Sequence, residues 1–122
     1  MDLQLKGKKV LVTGGSKGIG LACAKAFIAE GARVAIVSRS QANLDAAKKI
    51  LKECFCISGD LADATAAASI VEKVEAEFGP LDVLVNSAGA ARRTNADELN
   101  PAAWRAAMDA KYFTYINVMD PL

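Results

Sequence analysis

The sequence predicts an α/β fold: a doubly wound parallel sheet with helices on both faces, incomplete at its C-terminal side. Three observations predict it. Short runs such as Val10-Leu11-Val12 and Val34-Ala35-Ile36-Val37 are apolar at every position, so both faces of each strand need cover. Stretches with apolar residues at helical spacing separate these runs, and right-handed crossovers then place helices on both sides of the sheet. A glycine-rich run, Thr13-Gly14-Gly15-Ser16-Lys17-Gly18-Ile19-Gly20, follows directly on the first strand and opens the first helix.

The elements are read in order. Lys9 to Val12 is the first strand. Gly18 to about Glu30 is a helix with Ile19, Cys23, Ala26 and Phe27 at helical spacing, and Gly31 stops it. Val34 to Val37 is the second strand. Ser40 caps a helix running to about Lys52, with Leu44, Ala47 and Leu51 on one face. Phe55 to Ser58 is the third strand. Asp63 to Phe78 is a helix with Ala67, Ile70, Val71, Val74 and Phe78 on its apolar face, ended by Gly79-Pro80. Leu81 to Val85 is the fourth strand. Asn100 then caps a helix with Pro101 in its first turn. The segment from Trp104 to Met119 continues as helix, with Trp104, Met108 and Tyr112 at i, i+4 and i+8.

Composition narrows the function. With 122 residues, 52% apolar and 24% charged, residues 1–122 are read as one globular domain. A net charge of +1 gives no broad attraction to nucleic acid or to a membrane surface. The chain holds no 18-residue apolar run and its N-terminus lacks a signal-peptide pattern, so a cytoplasmic protein is expected. Its three cysteines, Cys23, Cys54 and Cys56, cannot all pair within one chain. They are expected to be small buried thiols in a reducing compartment rather than a metal site or a disulfide. Histidine is absent, which excludes a Ser-His-Asp triad, a Cys-His pair and His-bearing zinc sites within these residues.

The glycine run points to a ligand. A strand, a glycine turn and a helix N-terminus aim backbone N–H groups at an anion, and a diphosphate suits them best. Gly14, Gly18 and Gly20 allow close approach of ligand and helix, with Ser16 and Lys17 in the same turn. Thr13 can brace the turn through its hydroxyl. Ile19 packs either beneath the ligand or into the core.

These residues resemble the short-chain dehydrogenase/reductase family, a Rossmann-like fold. The family's Thr-Gly-x-x-x-Gly-x-Gly signature stands as Thr13, Gly14, Gly18 and Gly20. Gly59-Asp60-Leu61, after the third strand, is similar to its adenine contact. Asn86-Ser87-Ala88-Gly89, after the fourth, is similar to its Asn-x-Ala-Gly motif. The resemblance covers essentially all 122 residues but only the N-terminal half of what that family usually has. It implies a nicotinamide dinucleotide as the ligand. Asp60 would accept from the adenine amino group, or instead cap the next helix. Asn86 offers both donor and acceptor and is expected to tie neighbouring strands together. Ala88 and Gly89 leave room at the nicotinamide-ribose end.

The cofactor is expected to be NADP, with NAD as the alternative. In dinucleotide folds an acid ending the second strand grips the ribose 2′-OH. Here Ser38 holds that position and Arg39 follows, with a planar fork suited to phosphate oxygens. Lys17 adds a second cation, and in the resembling family both basic positions accompany NADP(H).

No catalytic residue is assigned. The family's serine and Tyr-x-x-x-Lys pair lie beyond a fifth strand, and neither Tyr112 nor Tyr115 has a lysine four residues on. The family's asparagine, seven residues beyond a tryptophan such as Trp104, is Lys111 here. Either the proton relay runs differently or it is lost, or Lys111 is a helix-surface cation. In the family the last helix often contributes to a subunit interface, which makes a homo-oligomer an expectation. A fourth strand with no fifth beside it leaves an unpaired edge, as in a truncated gene product, an engineered fragment or the ordered part of a longer protein.

The leading reading is the NADP(H)-binding portion of a short-chain oxidoreductase, whose complete parent moves hydride between nicotinamide and a small carbonyl or alcohol substrate. The alternative is a catalytically inactive dinucleotide-binding or interaction module. A phosphoacceptor domain needs acidic residues where Thr13-Gly14 stands.

Overall fold

Every residue from Val10 to Thr13 and from Val34 to Val37 is buried, as strands covered on both faces must be. The computed structural model describes residues 1–89 and 93–122. β1 (Lys9–Thr13), β2 (Arg33–Ser38), β3 (Phe55–Ser58) and β4 (Val83–Asn86) form one parallel sheet in the order β3-β2-β1-β4. In register, Val12 stands between Ile36 of β2 and Val85 of β4.

Strand alternation divides the core in two. Val10, Val12, Val34 and Ile36 meet Ala24 of α1 (Gly18–Ala29) and Leu44, Ala47 and Leu51 of α2 (Gln41–Leu51). Leu11, Ala35 and Val37 turn the other way, onto Ala67, Ile70, Val71 and Val74 of α3 (Ala64–Phe78). The sheet is therefore doubly wound, as expected. β4 begins two residues later than Leu81 and extends to Asn86, and its residues are only half-buried where those of β1 are closed off.

Side-chain caps set three helix starts. Ser40 accepts from the Asn43 backbone N–H, Asp63 from those of Thr65 and Ala66, and Asn100 from that of Ala103. Asp63, not Asp60, caps α3, so the capping alternative for Asp60 is set aside.

The expected single helix from Trp104 to Met119 is divided. α4 (Pro101–Met108) passes through a π-helical segment, Asp109–Phe113, into α5 (Thr114–Met119). Wider i→i+5 winding rotates the downstream face. The stripe of Trp104, Met108 and Tyr112 is exposed, while Thr114 and Val118 are the buried residues of α5. Thr114 Oγ1 donates to the Lys111 carbonyl at 2.8 Å, which satisfies a group within the widened turn. Periodicity alone carries no signal for such an insertion.

No helix among the described residues is long and apolar enough to cross a membrane. The described residues include no group of three or more potential metal ligands of the His, Cys, Asp or Glu type.

The Asp63 cap gives a direct test. Asp63→Ala should lower stability by about 1 kcal/mol, the usual worth of an N-cap. Urea unfolding should show a reduced midpoint with an unchanged slope.

Candidate functional site

The strand order locates the site. From β1 the chain steps to β2 and β3, then crosses back to place β4 on the other side of β1. The direction of winding thus reverses between β1 and β4, and open α/β sheets bind ligands outside the C-terminal strand ends at such a reversal. A cleft of about 730 Å³ opens there.

Its floor is the turn after β1. Gly14 has φ +63°, and a Cβ there would stand 2.8 Å from the Ala88 N and Cα, so the turn and the end of β4 meet backbone to backbone. The Thr13 hydroxyl secures this meeting: it donates to the Val85 carbonyl at 3.3 Å and accepts from the Ser87 and Ala88 N–H groups at 3.1 and 3.2 Å. A Cβ on Gly20 would collide with the Gly14 carbonyl oxygen, so α1 also rests directly on the turn. Gly18, with φ +54°, has nothing within 4 Å of where its Cβ would be. It faces the open cleft.

The start of α1 differs from those of α2, α3 and α4. Lys17 precedes it without a side-chain cap, whereas Ser40, Asp63 and Asn100 cap the other three. Its first N–H groups have no capping side chain, and no carboxylate within that turn offsets the positive end of the helix dipole.

Most of the expected site residues line this one cleft. Gly14, Ser16, Lys17, Gly18 and Ile19 come from the turn, Ser38 and Arg39 from the end of β2. Asp60 and Leu61 come from the end of β3, Ala88 and Gly89 from the end of β4. Ile19 is 79% exposed, so of its two readings packing into the core is excluded. Ser38 Oγ accepts from the Ser40 N–H and shapes the entry to α2. Arg39 and Lys17 are exposed. One Asp60 carboxylate oxygen accepts from the Ala62 N–H at 3.0 Å, closing a local turn.

Thr13, Gly20 and Asn86 lie behind the cleft rather than on its wall. Asn86 pairs with Thr13 across the ladder, yet its Oδ1 is buried with no hydrogen-bond partner among the described residues. Among the described residues, Thr13 makes the side-chain hydrogen bonds that join β1 to the end of β4.

The sequence does not single out several residues that shape the cleft. Asn43, from the first turn of α2, faces the Arg39 side, and Ala106, Asp109 and Thr114 close the end near Gly89. Asn117 of α5 donates to the Leu61 and Ala62 carbonyls at 2.9 and 3.3 Å, pinning the loop after β3. The available signal is a lone amide on an otherwise apolar helix segment, Tyr115-Ile116-Asn117-Val118. Lys111 sits in the π-helical segment with its stem against Gly89: a Cβ on Gly89 would be 2.8 Å from Lys111 Cδ. Its ammonium nitrogen lies 5.9 Å from the centre of the Tyr115 ring.

Comparison with known proteins agrees with this geometry. The family model described as short chain dehydrogenase matches residues 8–122. D-threitol dehydrogenase of Mycolicibacterium smegmatis is 40% identical over 110 residues, which cover 84% of this chain and 41% of that protein. Acetoacetyl-CoA reductase of Paracoccus denitrificans is 36% identical over 117 residues, 94% of this chain and 48% of that protein. A short-chain dehydrogenase/reductase of Serratia marcescens, solved as a double variant, superposes with a TM-score of 0.88 at 31% identity over 96% of this chain and 50% of that one. The chain thus spans about half the length, or less, of these relatives. With its glycine turn seated against β4 at the reversal of the sheet, the chain belongs to the short-chain dehydrogenase family.

Proposed function

We propose that residues 1–122 are the NADP(H)-binding domain of an oxidoreductase that moves hydride between a nicotinamide cofactor and a carbonyl or alcohol. The observation that carries this reading is a single cleft shared by the open Gly18 cradle, the uncapped start of α1, and the cations Lys17 and Arg39. When bound, the nicotinamide supplies or accepts the hydride, and the protein binds and orients it.

The residues fit such a dinucleotide along its whole length. The first turn of α1 and the space over Gly18 would take the diphosphate, where N–H groups and the helix dipole favour negative charge. Asp60, through acceptor capacity not used by the Ala62 N–H, would receive a donor from the adenine end. Ala88 and Gly89 present little side-chain bulk at the far end, where Ala106 and Thr114 form the wall. Ser38 puts no carboxylate at the end of β2, so a 2′-phosphate meets no repulsion there, and Arg39 and Lys17 offer it charge-assisted hydrogen bonds.

The preference for NADP(H) over NAD(H) rests on those two cations. Arg39→Ala should weaken NADPH binding by about ten- to a hundredfold, the worth of a charge-assisted phosphate contact, and leave NADH binding little changed. Fluorescence titration with both dinucleotides decides it. Equal losses for the two would remove Arg39 from the 2′-phosphate.

Gly18 tests the cradle. Gly18→Val introduces a branched side chain at φ +54° and fills the open space over the turn. Dinucleotide binding should be lost while the circular dichroism spectrum stays that of the parent. A folded variant with undiminished NADPH affinity would show that the diphosphate does not lie over this turn.

A further inference from the structure

Cys54 and Cys56 hold their sulfurs 3.4 Å apart, away from the cleft. The alternation of the chain puts them on one side of the sheet, packed with the core under α1 and α2. Phe55 and Ile57, between and beyond them, turn to the α3 side. The two thiols differ in access. Cys54 is 7% exposed, whereas Cys56 is half-buried on β3, an outer strand of the described sheet. Burial, reinforced by the hydrogen bond with Cys56, pushes the Cys54 thiol up to about 12. Cys54 therefore remains a protonated partner, and Cys56 is the thiol that meets a reagent from solution.

The backbone leaves room for the sulfurs to join. The ladder between β2 and β3 begins at Phe55, opposite Ala35, so Cys54 lies outside the paired residues. Just before it, Lys52 adopts φ +63° and ψ −67°, and the Glu53 N–H donates to the Leu51 carbonyl at 2.7 Å. That is a γ-turn of the rarer, positive-φ kind. A disulfide needs about 2.0 Å between sulfurs. The sulfurs start 3.4 Å apart, and Cys54 holds no position in the β2–β3 ladder that its movement would break.

We propose that Cys54 and Cys56 are a redox-modification site, a thiol pair that closes to an intrachain disulfide by exchange with a small disulfide of the glutathione type. The Cys56 thiolate attacks one sulfur of oxidised glutathione, forming a protein–glutathione bond and expelling one glutathione thiolate. Cys54 gives up its proton to water and attacks Cys56 Sγ as the thiolate, the protein–glutathione bond breaks, and the second glutathione leaves as a thiolate. The protein pair gives up two electrons and the oxidant disulfide becomes two thiols.

The test uses the protein in a Cys23→Ala background, since Cys23 is a half-buried thiol on α1 and alanine keeps the helix. The protein is incubated with oxidised glutathione, quenched with an alkylating agent and weighed intact. The expected product is about 2 Da lighter than the reduced protein, the two hydrogens of a two-electron oxidation, and takes no label at either position. With Cys54→Ser added, the reaction should stop at one glutathione adduct on Cys56. With Cys56→Ser added instead, buried Cys54 should gain none. Cys54→Ala repeats the first of these should the serine variant lose its circular dichroism spectrum. A parent protein that keeps both thiols alkylatable, holds a lasting glutathione adduct on Cys56, or links into dimers would overturn the proposal.

Discussion

The site depends on one backbone contact, the meeting of Gly14 with Ala88. It joins the turn after β1 to the end of β4 at the point where the winding of the sheet reverses. Side chains cannot mediate it, because a Cβ on Gly14 would stand within 2.9 Å of three backbone atoms. The Thr13 hydroxyl holds it by serving three partners at once, one carbonyl and two N–H groups. A hydroxyl has one proton and two lone pairs, so this use exhausts it. Valine would keep the shape but leave the Ser87 and Ala88 N–H groups without that acceptor, the more costly way to lose a buried hydrogen bond.

The electrostatics of the cleft follow from how the helices begin. In α2, α3 and α4 an N-cap side chain accepts from one or two of the first N–H groups, and in α1 none does. The uncapped start of α1 faces the cleft through Gly18 and Ile19. Stability is forgone locally, of the order of one cap or about 1 kcal/mol, and the N–H groups remain free for an anion. Packing compensates for the missing cap: Gly20 sets α1 directly on the turn, and Ala24 is fully buried against the sheet.

Much of this is legible in the sequence. Apolar runs such as Val34 to Val37 locate strands because a two-sided strand has no polar position to spare. Ser40 and Asn100 announce their helices because capping is a local interaction. The cleft residues are legible where strand ends are, since the sheet gathers those ends on one side. Non-local hydrogen bonds are not. The sequence places Thr13 beside its own turn, but its partners lie more than seventy positions away. Asn86 has the chemistry of a tie between strands, yet its Oδ1 faces no partner among the described residues. The π-helical segment is invisible because Trp104, Met108 and Tyr112 fit an unbroken α-helical period, and only the burial of Thr114 and Val118 reveals the rotation.

The same geometry couples binding to folding. The cleft is walled by residues at or just beyond the C-terminal ends of all four strands. Of these, β4 is the strand beside β1 that is only half-buried where β1 is closed. It is held to β1 by four register positions and by the Thr13 hydroxyl. On the proposed reading, a dinucleotide would run from Arg39 and Asp60 across Gly18 to Gly89, bridging β2, β3, the glycine turn and the end of β4. A ligand that binds only the folded chain adds its own free energy to stability, about 2.7 kcal/mol at a hundredfold excess over the dissociation constant. A dinucleotide bound there would touch both sides of the contact between Gly14 and Ala88, so the residues that build the cradle would be held by the ligand they receive.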